Sequence, residues 1–196
     1  MTPKILVFSG STRSQSYNAQ LAALVAKHVA LEGADVTLLN LSDYPLPLYD
    51  GDLEEEQGVP ENALKLKRLI DQHHGVFIAS PEYNSSISPL LKNTLDWISR
   101  VREDGEEPLE VYTKAIYAIG GATPGLHGTM RGLIHLRTIM EVSLGCLVLP
   151  DMITVNFAAK AFDENGELAK EPAQNRLNKM VQRLVMEARS RTIRSH

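Results

Sequence analysis

A chain of 196 residues, 43% hydrophobic and 22% charged, fits one soluble globular domain over residues 1–196, long enough to bury a substantial core. Its net charge of −4 argues against a nucleic-acid partner, which favours a basic face. One cysteine, Cys146, excludes an intrachain disulfide framework, and neither a signal-peptide pattern nor the ~20-residue apolar run of a membrane span is present, so the expected address is cytoplasmic with no membrane partner.

"KILVFS" (4–9) reads as a first strand, followed by the polar turn "GSTRSQSYN" (10–18). A helix then places Leu21, Leu24, Val25 and Val29 on one stripe. "ADVTLLNL" (34–41) is a second strand, and "YPLPLYDGDLEEEQGVPEN" (44–62) a long surface loop expected beside the site, with Glu54 to Glu56 as a solvated face. His73 and His74 end a helix, where the dipole favours them. "GVFIAS" (75–80) is continuously apolar, as a strand buried on both faces should be. Leu90, Leu91, Thr94, Leu95 and Ile98 form the next helical stripe, on which Asp96 and Arg100 are expected to pair. An acidic loop, "REDGEEPLEVY" (102–112), leads to a fourth strand, "KAIYAIGG" (114–121). Leu133, Leu136, Ile139 and Met140 mark a further helix. In the fifth strand, "GCLVLPDMITV" (145–155), Pro150 lacks an N–H and predicts an edge or a bulge. Leu177, Met180, Val181, Leu184 and Val185 define the last helix, with Pro172 near its start.

Strands alternating with helices imply an α/β, three-layer fold: a five-stranded parallel sheet with helices on both faces. The flavodoxin-like order 2-1-3-4-5 is the expected topology, and it puts the fifth strand at an edge. Ligands of such sheets bind outside the carboxyl ends of the strands, at the switch point. The loops there are "GSTRSQSYN", "PEYNSSISPLLKN" (81–93) and "GGATPGLHGTMR" (120–131), the three most unusual stretches of the chain.

The first loop opens a helix, whose N-terminal amides attract an anion. Seven of its nine residues are polar, more than a helix cap alone requires. It lacks the Lys of a Walker loop, the glycines of a dinucleotide fingerprint and the Cys of a phosphatase loop. What remains is a loop that holds a phosphate without activating it, as the phosphate of flavin mononucleotide is held. In the second loop, Tyr83 could cover a planar ring and neighbouring amides could bond its polar edge; a turn and a Ser-capped helix explain the same residues. In the third, Gly120, Gly121, Gly125 and Gly128 permit close approach to a ligand or simply a flexible turn. His127 reads as a solvated loop residue rather than a substrate contact.

Three motifs together resemble the NAD(P)H-dependent FMN reductases of the flavodoxin-like fold, whose relatives include quinone, azo-dye and chromate reductases. They are Gly10, Ser11, Arg13, Ser16 and Asn18; Pro81, Glu82, Tyr83, Asn84 and Ser86 with Leu91, Lys92, Asn93, Asp96 and Trp97; and Pro124, Gly125, Gly128, Arg131, Leu136 and Arg137. The resemblance implies that Ser11, Arg13, Ser16, Tyr17 and Asn18 surround the FMN phosphate. It implies that Pro81, Glu82, Tyr83 and Asn84 line the flavin ring and that Gly120 and Gly121 complete the pocket. Thr129 stands where the family usually has a second Gly. No catalytic side chain and no metal are expected, since the flavin carries the chemistry between NADPH or NADH and a small acceptor: a quinone, azo compound, metal oxyanion or flavin. The resemblance also implies a homodimer or homotetramer, with the helices at 87–100, carrying Trp97, and 130–143 as contact surfaces. The alternative reading is a flavodoxin-type electron carrier that does not oxidise NAD(P)H; a phosphate-loop hydrolase is disfavoured by the missing Cys and Lys.

Overall fold

The computed structural model describes residues 1–103 and 105–192; Asp104, within the acidic stretch 102–112, lies outside them. Five strands, β1 (Lys4–Ser9), β2 (Asp35–Leu39), β3 (Gly75–Ala79), β4 (Ile116–Ala122) and β5 (Leu147–Val155), form one parallel sheet in the expected order β2-β1-β3-β4-β5. β1 is paired on both sides, Ile5 lying beside Val36 and Gly75. Its last five residues are buried, which is why its sequence is an unbroken apolar run.

The helices are α1 (Tyr17–Leu31), α2 (Gly51–Gln57), α3 (Glu61–Asp71), α4 (Pro89–Arg100), α5 (Glu110–Lys114), α6 (Met130–Thr138) and α7 (Glu171–Arg191). α1 and α7 cover one sheet face, burying Leu21, Val25, Val29, Leu177, Val181 and Leu184 against Val7 and Phe77. α3, α4 and α6 cover the other, burying Leu66, Leu95, Ile98 and Leu133 against Leu6 and Ile78. Both faces of the central strands β1, β3 and β4 are therefore removed from water, as parallel sheets require, while β2 at the edge stays largely exposed.

Pro150 satisfies both expectations made of it. β5 is the edge strand, and its pairing with β4 slips between Tyr117↔Val148 and Ile119↔Met152, a bulge that contains the proline. The segment after β2 differs from a loose surface loop. It forms a 3₁₀ turn (Leu41–Asp43) and α2, and it is strapped along α4. The Pro47 carbonyl accepts from Asn93 Nδ2 (2.8 Å) and Trp97 Nε1 (2.7 Å), and Tyr49 meets the Trp97 ring edge-on. Successive anchors at Asn93, Trp97 and Arg100 carry the strap down α4, away from the carboxyl ends of the strands. Glu54 consequently leaves its solvated face to pair with Arg100 (2.9 Å), while Asp96 pairs with Lys92 (2.8 Å) and not with Arg100.

Candidate functional site

β1, β3 and β4 end side by side, so the loops that follow them converge. Hydrogen bonds stitch them together. The Gly10 amide donates to Ala79 O (2.9 Å), Ser88 Oγ donates to Gly10 O (2.6 Å), and the Ser80 amide donates to Gly120 O (2.7 Å). A methyl group on Gly10 would stand 3.0 Å from the Leu91 Cβ, so glycine lets the first loop lie close against α4.

The first loop presents its donors outward. Ser16 caps α1, its buried Oγ accepting from the amides of Asn18 (3.2 Å) and Ala19 (3.4 Å). The amides of Thr12, Ser14, Gln15 and Tyr17 find no acceptor among the described residues. They stand with the hydroxyls of Ser11, Thr12 and Ser14 at the positive end of α1. Arg13 lies over the Tyr17 ring, 5.9 Å from its centroid. A cavity of about 350 Å³ opens beside this loop, with Leu38, Leu39 and Asn40 forming its far wall. Asn18 points the other way. It is 4% exposed, donating from Nδ2 to Ala122 O (3.0 Å) and accepting from the Ala122 amide (2.8 Å). Its geometry joins the first loop to the third.

The second loop is a tight hairpin. Tyr83 and Ser86 exchange backbone hydrogen bonds (2.9 and 3.0 Å) around Asn84 and Ser85, whose φ angles are +49° and +67°. Two consecutive positive φ values are those of a type I′ turn, which Asn favours and Ser does not. The turn leaves Tyr83 half-exposed, while Pro81 is buried against the sheet. Glu82 turns away from the loop. Its carboxylate accepts from the Gly132 amide (2.9 Å) and Arg131 Nε (2.9 Å) and so closes the open N-terminus of α6. Burial pushes the Glu82 pKa up, but the Gly132 amide and the Arg131 guanidinium outweigh that and hold it below the usual carboxylate range.

In the third loop, the room left by glycine is filled by protein. A Cβ on Gly120 would meet the Ile153 side chain at 2.4 Å, and one on Gly121 the Thr129 hydroxyl at 2.2 Å. Thr129 is buried with φ +65°, a strained conformation for a β-branched residue and one that glycine takes freely. Gln15, Asn84, Ser85, Thr129 and Phe157 are five of the six non-glycine residues with positive φ among those described, and all lie in loops after the carboxyl ends of strands. Stored strain marks this end of the sheet.

The geometry brings Ser11, Arg13 and Tyr17 together on the outer rim, with Tyr83 and Asn84 on the neighbouring hairpin. It places Ser16, Asn18, Pro81, Glu82, Gly120 and Gly121 in the framework beneath. No group of three or more His, Cys, Asp or Glu side chains able to hold a metal occurs among the described residues. Cys146 is buried and its thiol pushed up to about 12 by that burial, which leaves it inert as a nucleophile.

The profile of a family described as NADPH-dependent FMN reductase matches residues 3–160. The chain is 32% identical over 186 residues to an NAD(P)H-dependent FMN reductase of Pseudomonas aeruginosa, spanning 92% of each protein. It is 32% identical over 170 residues to a quinone reductase of Escherichia coli, spanning 84% of each. Among solved structures it is similar to FerB, a flavoenzyme NAD(P)H:(acceptor) oxidoreductase from Paracoccus denitrificans, with a TM-score of 0.77, 25% identity and coverage of 97% and 99% of the two chains.

Proposed function

The chain belongs to the NADPH-dependent FMN reductase family, and on that premise we propose how its own residues serve the activity. The protein is an NAD(P)H-dependent oxidoreductase that uses FMN to reduce a small acceptor such as a quinone. The carrying observation is the donor set at the start of α1: four amides without an acceptor among the described residues, three hydroxyls and a guanidinium around one helix terminus. That set suits a phosphate dianion and offers nothing that would cleave it, so the residues fit FMN. When bound, FMN supplies hydride transfer between nicotinamide and acceptor.

The side chains divide into holders and positioners. Ser11, Arg13 and the free amides of the first loop bind the phosphate, with Tyr17 fixing the Arg13 guanidinium beneath it. Tyr83 and the outward amides of Asn84 and Ser85 face the flavin ring. Ser16, Asn18 and Glu82 are positioning residues: one caps α1, one locks α1 to β4, and one holds α6 against the second loop. Gly120 and Gly121 act by letting β5 and Thr129 close in behind the site.

The second reading, a flavodoxin-type carrier, shares the phosphate loop and differs in its partners. Anaerobic addition of NADPH to the purified yellow protein separates them. Bleaching of the bound flavin, restored by a benzoquinone, is expected; flavin that stays oxidised under NADPH overturns the reductase reading. The chain is also proposed to act as a homodimer or homotetramer. Met130 and Ile134, one turn apart on α6, are exposed together with Leu126 and Tyr83 and form an apolar face beside the site. Trp97 itself is fully buried under the strap, so any contact made by the helix at 87–100 would use its other residues.

A further inference from the structure

A second cavity, of about 490 Å³, lies beyond the ends of β4 and β5, within the size range of small-molecule sites. Pro124, Phe157, Lys160, Leu168, Lys170 and Ala173 are among its lining residues. It is a built feature. One wall is a small hairpin over residues 161–169, in which the Asp163 amide donates to Glu167 O and the Ala169 amide to Ala161 O, both at 2.9 Å. Glu167 latches that hairpin to α1 by pairing with Lys27 (2.5 Å) and His28 (2.8 Å). The opposite wall carries Phe157, half-exposed and held at φ +50°, with its amide donating to Gly125 O (3.2 Å). The cavity thus shares a wall with the glycine-rich loop, two residues on from the Ala122 that Asn18 grips.

The lining is mostly apolar, and the polar charges at its rim have one sign. Lys160 and Lys170 form no ion pair among the described residues. Of the carboxylates nearest in sequence, Glu167 pairs with Lys27 and His28, Asp163 accepts from the amides of Asn165 and Glu167, and Glu164 is exposed and forms no ion pair with either lysine. Glu171, which begins α7, forms no ion pair with either lysine. An apolar slot with an aromatic wall and two unneutralised ammonium groups suits a planar ring that carries an anion. Of the molecules in the activity, FMN has its phosphate assigned to the start of α1 and a simple quinone has none, which leaves the pyridine nucleotide, whose adenine and phosphates lie at one end.

We propose that this cavity receives the phosphorylated adenosine end of NADPH, with the adenine against Phe157 and Leu168 and the 2′-phosphate between Lys160 and Lys170. The proposal rests on the reading that nicotinamide reacts at the three loops. It assigns the choice of NADPH over NADH to residues outside them.

The test uses the flavin-loaded full chain and the exposed double variant Lys160→Ala/Lys170→Ala. The KM for NADPH is expected to rise about tenfold, the sum of two exposed charge contacts. The KM for NADH, the kcat and the flavin content are expected to stay unchanged. Adenosine 2′,5′-bisphosphate should compete with NADPH and lose about tenfold in affinity in the variant. An equal change for both nucleotides, or none, overturns the proposal. So does a variant that alters only the KM for anthraquinone-2-sulfonate, which would assign the lysines to an anionic acceptor. If the protein binds no flavin, the reductase reading fails separately, and calorimetry with adenosine 2′,5′-bisphosphate still decides whether the cavity binds it.

Discussion

Arg13 and Asn18 stand five residues apart in one motif, yet they do different work. Arg13 is on the rim, its guanidinium over Tyr17 and donating one long bond from Nη2 to Gln15 O (3.4 Å), which leaves its other N–H groups to meet an anion. Asn18 is interior and joined to Ala122 by two hydrogen bonds. Arg13→Ala is therefore expected to weaken FMN retention about tenfold with little change in melting temperature, read by flavin fluorescence on dilution. Asn18→Ala should instead lower stability by about 1–3 kcal/mol, because it orphans two buried backbone groups, read by urea unfolding of the flavin-free protein. Equal flavin loss with no stability change in both variants would contradict this division.

His73 makes a residue-scale prediction about pH. Its Nδ1 lies 2.6 Å from Leu69 O, which can only accept, so Nδ1 carries the proton and the neutral ring accepts from the Thr37 hydroxyl at Nε2 (2.9 Å). Burial lowers its pKa, Lys4 adds to that, and the Leu69 bond only partly opposes it. His74 is lowered too, first by burial and then by Lys4. Groups with depressed folded values bind protons more readily when unfolded, so their stabilisation is complete above about pH 6.5 and falls as pH drops below it. Melting temperature should decline between pH 7.5 and 5.5, and His73→Gln should flatten the slope; an unchanged slope would rule His73 out as the cause.

At the scale of elements, the acidic stretch after α4 anchors α3. Lys67 is 2% exposed, and its Nζ donates to Glu103 (3.0 Å) and to Glu106. Burial would lower the Lys67 pKa, but the two carboxylates prevail and raise it, while Glu103 is held down at about 2, chiefly by Arg68 and then by Lys67. Glu106→Ala leaves a buried ammonium with one partner fewer and should cost about 2 kcal/mol. Lys67→Met, which removes the charge and keeps the volume, should cost under about 1 kcal/mol. The reverse order in chemical denaturation would show that the charge itself stabilises the fold. Ala63, Leu66, Lys67 and Ile70 share the buried stripe of α3, so the spacing puts Lys67 on the covered face, but its partners lie 36 and 39 residues away and cannot be read from it. Pro150 is the opposite case: a missing N–H is a local fact, so edge and bulge could both be read from one residue.

For the whole molecule, the exposed apolar face on α6 predicts association. Ile134→Glu should convert the assembly to monomer at micromolar concentration, as measured by light scattering, without altering the melting temperature by more than a few degrees. A wild-type monomer under the same conditions would refute the contact. No helix among the described residues is long and apolar enough to cross a membrane.

The sequence by itself determined the five strands and their alternation with helices, while the order 2-1-3-4-5 is the expected topology of such a sheet and the flavin chemistry is what the family resemblance implies, both confirmed only by the structure and the comparisons. The strands, the helices and the polar turn depend on local pattern: apolar runs, helical stripes, and a polar stretch ahead of a helix. Only the tertiary structure decided which motif residues face outward and which hold the frame. Nothing local to their motifs gives the directions of Asn18, Glu82 and Gly121. Their directions are set by Ala122, Gly132 and Thr129, groups 104, 50 and 8 residues away along the chain. The Trp97 strap and the cavity under the 161–169 hairpin arise the same way. Periodicity fixes which face of an element is apolar, but the partner that covers that face is chosen by packing between distant segments.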